Sequence, residues 1–356
     1  SLIPDTVLNY TLDRAWHEAG AFNAALPVQG NKSRTVQLAA TDTHLYLAYF
    51  ASGMVYLQRY DLGTKIWEIV GSWQNASSVF ALTSDGTKAY LLRAYDGGMI
   101  FLHDGAGSIA NSHTPVSGVV PTSLDMVTSG TMVWYVFNSA VAGANYLKAW
   151  SYDTAASSFN QSKDFSPSSQ SHDFPSIALN VTLPWILYTE GTSIRMWDNN
   201  NSTEYGPWSG FFNGVAKLMY VNSGIDVLLF ETGSAPALKV SKTRPFTGHV
   251  NLYRTPASPQ ADACVMDGTT PVFMYPMGPI GTYSLVCDGW YDGMSDMRPL
   301  ATQSPDVSAH RADWSVVATG VSLDARPAIV ATTGAVFAAW YDSTQNKVFV
   351  RRHDGR

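Results

Sequence analysis

Short runs of β-forming apolar residues, some alternating and some wholly apolar, recur along the chain between clusters of Gly, Asp, Asn and Ser. Helical periodicity is hard to find, and the pattern predicts an all-β fold. The clearest unit runs from Thr35 to Trp73, with strands expected over Val36 to Ala39, Leu45 to Phe50, Val55 to Tyr60 and Trp67 to Gly71. Four strands joined by turns make one blade of a β-propeller.

Related units follow at intervals of roughly 45 to 50 residues, the spacing of propeller repeats. The second contains Val79 to Leu82, Ala89 to Arg93 and Met99 to His103, and the third Ser123 to Val127, Met132 to Phe137 and Tyr146 to Tyr152. A fourth holds Ser176 to Asn180, Trp185 to Tyr188, Ser193 to Trp197 and Trp208 to Phe212. Lys217 to Val221, Val227 to Glu231 and Ala237 to Val240 give a fifth, and Ala263 to Met266, Val272 to Tyr275 and Tyr283 to Cys287 a sixth. The seventh has three strands, Ala328 to Ala331, Val336 to Trp340 and Val348 to Arg352, and its missing fourth is found at the other terminus. There Trp16 to Gly20 repeats the Trp67 to Gly71 pattern. The expectation is one propeller domain over residues 1–356, of about seven four-stranded blades, with N- and C-terminal strands closing one blade and hiding the edges of the ring.

Aspartates recur at the expected hairpins, after Tyr60, Tyr152, Trp197 and Tyr341, where an Asp side chain bonds its own backbone. Trp16, Trp67 and Trp208 begin fourth strands and are large enough to wedge the gap between blades. The oxygen-rich stretch from Asp198 to Glu204 lacks the central Gly and closing acid of a calcium loop and reads as a polar hairpin tip.

Composition narrows the partners. Only 14% of residues are charged, the formal net charge is −6, and no run of Lys or Arg offers a surface to nucleic acid. No apolar stretch reaches the roughly 18 residues of a membrane span. The chain begins Ser-Leu-Ile-Pro, as a mature protein does after signal-peptide removal and as a trimmed chain also would. N-glycosylation sequons at Asn9, Asn31, Asn75, Asn160, Asn180, Asn200 and Asn201 point to a secreted, extracellular glycoprotein. In that compartment the two cysteines, Cys264 and Cys287, are expected to form a disulfide. On the first and third strands of one meander they would stand roughly 9 to 10 Å apart, so bonding requires one of them at a fraying strand end.

The sequence holds no nucleophile elbow, no zinc-binding His pair at helical spacing, no phosphate-cradling Gly loop and no sialidase-type Asp box. No metal, cofactor or catalytic residue is assigned. The segment from Asp288 to Asp313 departs from the repeat, and its Trp290, Tyr291 and Asp292 suit a sugar: aromatic faces pack on apolar sugar faces while carboxylates take hydroxyls. His310 and Arg311 on the same segment, and His172 and Asp173 before the fourth unit, complete the candidate binding residues.

Arg326 to Val330, followed by Val336 to Trp340 and Val348 to Gly355, resembles the repeat of seven-bladed propeller lectins, and Pro175 to Leu179 with Ser193 to Asp198 is similar. The resemblance concerns the strand framework and implies carbohydrate binding between or above blades. The expected function is therefore recognition of a glycan or glycoprotein without catalysis. Two other readings compete: an extracellular glycan-cleaving enzyme, with a pair such as Asp125 and Asp173 as acid and base, and an assembly component of an extracellular matrix.

Overall fold

The computed structural model describes residues 16–24, 34–75, 77–95, 98–104, 111–113, 121–141, 144–165, 172–180, 183–191, 193–209, 217–221, 225–232, 237–241, 250–254, 261–266, 270–277, 282–289, 316–323 and 325–354. Among them every regular element is a strand. After β1 (Trp16–Asn23), the first sheet is built of β2 (Val36–Ala40), β3 (His44–Ala51), β4 (Met54–Asp61) and β5 (Trp67–Gln74). The second contains β6 (Phe80–Ser84), β7 (Ala89–Tyr95), β8 (Gly98–Asp104) and β9 (Asn111–His113), and the third β10 (Ser123–Ser129), β11 (Met132–Val141), β12 (Ala144–Asp153) and β13 (Ser158–Asp164). Then come β14 (His172–Asn180), β15 (Leu183–Glu190), β16 (Ser193–Asp198) and β17 (Thr203–Ser209), followed by β18 (Lys217–Val221), β19 (Ile225–Thr232), β20 (Ala237–Ser241) and β21 (Val250–Arg254). The sixth sheet has β22 (Asp262–Met266), β23 (Thr270–Met277), β24 (Tyr283–Gly289) and β25 (Val316–Val321), and the seventh β26 (Ala328–Thr332), β27 (Ala335–Asp342) and β28 (Lys347–His353). All seven are antiparallel meanders, and the arrangement is propeller-like.

The wholly apolar runs are explained by packing on both faces. On β3, Leu45, Leu47, Tyr49 and Ala51 pack with Phe337, Ala339 and Tyr341 of the seventh sheet. The alternate residues Tyr46, Ala48 and Phe50 pack with Phe80, Leu82 and Leu91 of the second. The pattern repeats where Tyr90 and Leu92 meet Leu124 and Tyr135, and where Val136 and Leu147 meet Ile177 and Ile186. Met274 and Leu285 likewise meet Val336 and Trp340. Each of these clusters joins two sheets, so the core is divided among the junctions.

The Asp turns form one repeated device. The Oδ1 of Asp61 accepts the N–H groups of Gly63 and Thr64 at 2.8 and 2.7 Å. Asp153, Asp198 and Asp342 do the same two and three residues on. The fifth residue of each turn, Lys65, Ser157, Ser202 or Asn346, has positive φ and returns the chain to the strand. The tight turn after Asp198 starts the next strand at Thr203, not at Trp208 as the sequence suggested, with Asp198 opposite Thr203.

The seventh sheet takes β1 as its fourth strand. Trp16 stands opposite His353 and Phe22 opposite Val348, with a bulge between Glu18 and Gly20. The matching bulge in β5 lies beside Gly71, opposite a shift between Leu57 and Gln58. Trp67 of β5 crosses to the neighbouring sheet, donates Nε1–H to the Ala19 carbonyl at 2.7 Å, and packs edge-on against Phe22 at 4.9 Å. Gly20 permits this approach, since a Cβ there would stand 2.8 Å from Trp67 Nε1. Trp67 is thus a wedge between two sheets, and Trp16 likewise packs against the core joining the sixth and seventh sheets.

The expected disulfide is absent. Cys264 and Cys287 are not joined to each other. Cys264 faces Val272 across one ladder and Cys287 faces Met274 across the other, so β23 runs between them. Neither sits at the fraying end the bond would have required.

Three outcomes follow from this geometry. Gly20→Ala should lower stability by about 1–3 kcal/mol in urea denaturation, and the loss should shrink in a Trp67→Phe background, because the two sites share one contact. Alkylation of the unreduced, denatured chain should label both cysteines by mass spectrometry. Finally, desolvation tends to raise the Asp85 carboxyl pKa, but hydrogen bonds from Tyr90, Lys88 and Thr87 outweigh it and hold it below the ordinary carboxylate value. Its stabilisation is present above the ordinary value and lost as pH falls through the lowered one. The acid-unfolding curve of Asp85→Asn should therefore be flatter below about pH 4 than that of the parent.

Candidate functional site

The first strands of neighbouring sheets lie against one another: β2 against β6 and β26, β6 against β10, β10 against β14, and β22 against β26. Each pairs with a second strand on one side only, leaving a row of backbone N–H and C=O groups on the other. At three junctions a polar side chain of a first strand reaches to the next sheet. Gln37 Nε2–H donates to the Phe80 carbonyl at 2.6 Å, and its Oε1 accepts the Leu82 N–H at 3.0 Å. Asp125 Oδ2 accepts the Ile177 N–H at 3.0 Å and the Ser176 hydroxyl at 3.1 Å. Asp262 Oδ2 accepts the Ile329 N–H at 2.9 Å.

These strands enclose a cavity of about 470 Å³. Its wall is formed largely by the edges of β2 and β26, with Leu82, Met126 and Ile329 as apolar surface and Arg34, Asp125, Asp262 and Arg326 as the charged groups. Arg34, just before β2, passes over the second sheet to donate Nη1–H to Asp125 Oδ1 at 2.8 Å. Its Nη2 is buried without a hydrogen-bond partner. Arg326 is only 5% exposed. Among the described residues no aromatic ring lines the cavity, and no group of three or more His, Cys, Asp or Glu can hold a metal ion.

The candidates named from sequence fall elsewhere. Trp290, Tyr291, Asp292, His310 and Arg311 lie outside the described residues, on the connection between β24 and β25. His172 and Asp173 open β14, opposite Glu190 and Thr189. Of the sequons, Asn9 and Asn31 lie outside the described residues and Asn180 ends β14. Asn160, Asn200 and Asn201 are exposed. Asn75 is buried, and its Nδ2 donates to the carbonyls of Ser77 and Val79 at 2.6 and 3.1 Å. The cavity residues Arg34, Gln37, Asp262 and Arg326 were not singled out from sequence. The signal that marks two of them is a lone polar residue in the apolar first strand of a repeat, the position Gln37, Asp125 and Asp262 share.

No helix among the described residues is long and apolar enough to cross a membrane. No family model matches the sequence, and no curated protein matches it. The chain is similar in fold to a solved structure of Kuenenia stuttgartiensis hydrazine synthase. That likeness covers 92% of this chain and 97% of that chain with a TM-score of 0.58 at 10% identity, and it concerns fold alone.

Removing one clamp should be costly and local. Gln37→Leu and Asp262→Ala, which strand backbone groups of the next sheet, should each lose about 1–3 kcal/mol by urea denaturation. Arg59→Ala, which breaks an exposed pair with Glu68, should change stability by less than about 1 kcal/mol.

Proposed function

We propose that this chain is a closed, seven-bladed β-propeller that works outside the cell as a recognition protein, binding a carbohydrate without cleaving it. Support for closure comes from the pairing of β1 with β28 and from the contact of β2 with both β6 and β26. Closure matters for function because it brings first strands from several blades around one cavity.

The state of the carboxylates carries the choice between binding and cleavage. A glycosidase needs one carboxyl group ready to give up a proton and a second ready to attack or to activate water. Of the two acids at the cavity, Asp125 instead accepts hydrogen bonds from Arg34, Ser176 and Ile177, and Asp262 holds the N–H of Ile329. Both are occupied in joining blades. The strand edges beside them present donors and acceptors in alternation, which suits hydroxyl groups, since a hydroxyl both donates and accepts. The sequence between β24 and β25 also carries Trp290, Tyr291 and Asp292, residue types on which sugars pack.

The test is a glycan array probed with folded protein stripped of its own glycans, followed by product analysis of the glycans retained. Saturable binding of a glycan class with no released product is expected. Absence of binding, or turnover that is lost in Asp125→Asn, would sink this reading.

A further inference from the structure

We propose that the open backbone edge of β2, at Leu38 and Ala40, is an amide-binding subsite of the cavity, and that its ligand is an uncharged molecule carrying a secondary amide. The inference goes beyond the glycan reading, because it holds whatever scaffold carries the amide.

In an antiparallel ladder, facing residues alternate between pairs that exchange both backbone hydrogen bonds and pairs that exchange none. The Phe50 N–H donates to the Thr35 carbonyl at 3.0 Å and the Thr41 N–H to the His44 carbonyl at 2.8 Å. With the register of β2 on β3, these bonds turn Thr35, Gln37, Ala39 and Thr41 toward β3. Val36, Leu38 and Ala40 therefore aim their N–H and C=O groups away from their own sheet. On β6, bonds from the Ala94 N–H to the Val79 carbonyl and from the Asp85 N–H to the Lys88 carbonyl turn Phe80, Leu82 and Ser84 outward in the same way.

The protein covers this row on β6 and leaves it open on β2. One carboxamide, that of Gln37, spans the Phe80 carbonyl and the Leu82 N–H, and the Thr128 hydroxyl donates to the Ser84 carbonyl. Ile329 and Leu82 hold the same place in their strands, since each N–H meets the clamp of the preceding sheet. Ala328 thus stands where Gln37 does, and it offers β2 only a methyl group, packed in the core that also holds Leu38. Val330, next on that face, is apolar and belongs to the same cluster. From the other side, Ser84 takes the place of Thr128, but its hydroxyl accepts the Gly86 N–H at 2.9 Å. Among the described residues no hydrogen bond is made to the outward groups of Leu38 and Ala40.

Leu38, Ala40 and Val330 all line the cavity, and Ala40 is partly exposed. Backbone groups left unpaired away from bulk water are unfavourable, and a ligand that pairs them removes that cost. Gln37 shows which group fits: an amide, with its N–H on one carbonyl and its C=O on the N–H two residues further along. Strand geometry repeats every two residues, so the Leu38 carbonyl and the Ala40 N–H offer the same spacing. Charge sets the rest of the ligand. Asp125 and Asp262 balance the guanidinium groups of Arg34 and Arg326 on the wall, and a wall without net charge favours a neutral guest. The volume of about 470 Å³ falls within the range of small-molecule sites.

Backbone-amide NMR titration of the folded protein with N-acetylglucosamine, N-acetylalanine methylamide and glucose tests the assignment, alongside Val330→Gln. The variant places a carboxamide beside the open edge, and thermal melting checks that it folds. Both amides are expected to shift the Leu38 and Ala40 signals, to bind at least tenfold more tightly than glucose, and to lose at least tenfold in Val330→Gln. Tighter binding of the acetamido sugar upholds the subsite and the glycan reading together. Tighter binding of the blocked alanine upholds the subsite and takes this cavity away from the glycan reading. Glucose binding as tightly as either amide overturns the subsite and leaves glycan recognition standing. Failure of both amides to bind, or binding unaltered in the variant, overturns the subsite. Should Val330→Gln not fold, hydrogen exchange at the Ala40 N–H of the parent decides: slowing by either amide supports the subsite, and no change refutes it.

Discussion

An antiparallel sheet built as a four-stranded meander ends in two strands that are hydrogen-bonded on one side only, and a fold made of such sheets has to deal with every one of those edges. At the first strands this protein does so with side chains. Gln37, Asp125 and Asp262 hold backbone groups of the following sheet, so the spacing of neighbouring sheets is fixed by polar contacts as well as by the apolar residues between them. The cavity and the charged groups on its wall exist because these strands are held side by side.

The apolar cores are subordinate to that arrangement. Because each cluster belongs to two sheets, none can be completed by a single repeat, and the residues of β3 that face the second sheet are as deeply buried as those that face the seventh. Removing one sheet would expose the faces of two others. Such stacking makes a run like Leu45 to Phe50 apolar at every position and not at alternate ones.

That same feature made the fold legible. Runs apolar on both faces, spaced by Asp turns at a near-constant interval, identify stacked meanders, and the shared pattern of Trp16 to Gly20 and Trp67 to Gly71 located the fourth strand of the last sheet. The strands that escaped notice, β9, β13, β21 and β25, are the outermost strands of their sheets, paired on one side only, and carry no apolar run as long as Leu45 to Phe50. Cys264 and Cys287 showed the limit of counting: an even number of cysteines says nothing of the strand running between them. The candidate site was hidden for another reason. Arg34 and Asp125 are 91 residues apart, and an arginine ahead of a strand looks like any solvent-exposed residue until the fold turns it inward. The lone polar residues in first strands were visible, but their meaning depends on which strand comes to lie beside them.

The union of β1 with β28 also has a consequence in time. β1 is synthesised long before its partner β28, so at about 5–20 residues per second the strand waits on the order of half a minute for the residues it pairs with. During that interval the growing chain can stack its first sheets, whose contacts are local in sequence. The seventh sheet and the contact of Trp67 with Ala19 stay incomplete on the Ala19 side. Completion of the seventh sheet is then also the event that buries β1, which must remain soluble and uncommitted until then. Its alternating character, with His17, Glu18 and Ala21 turned to solvent, suits a strand that has to wait.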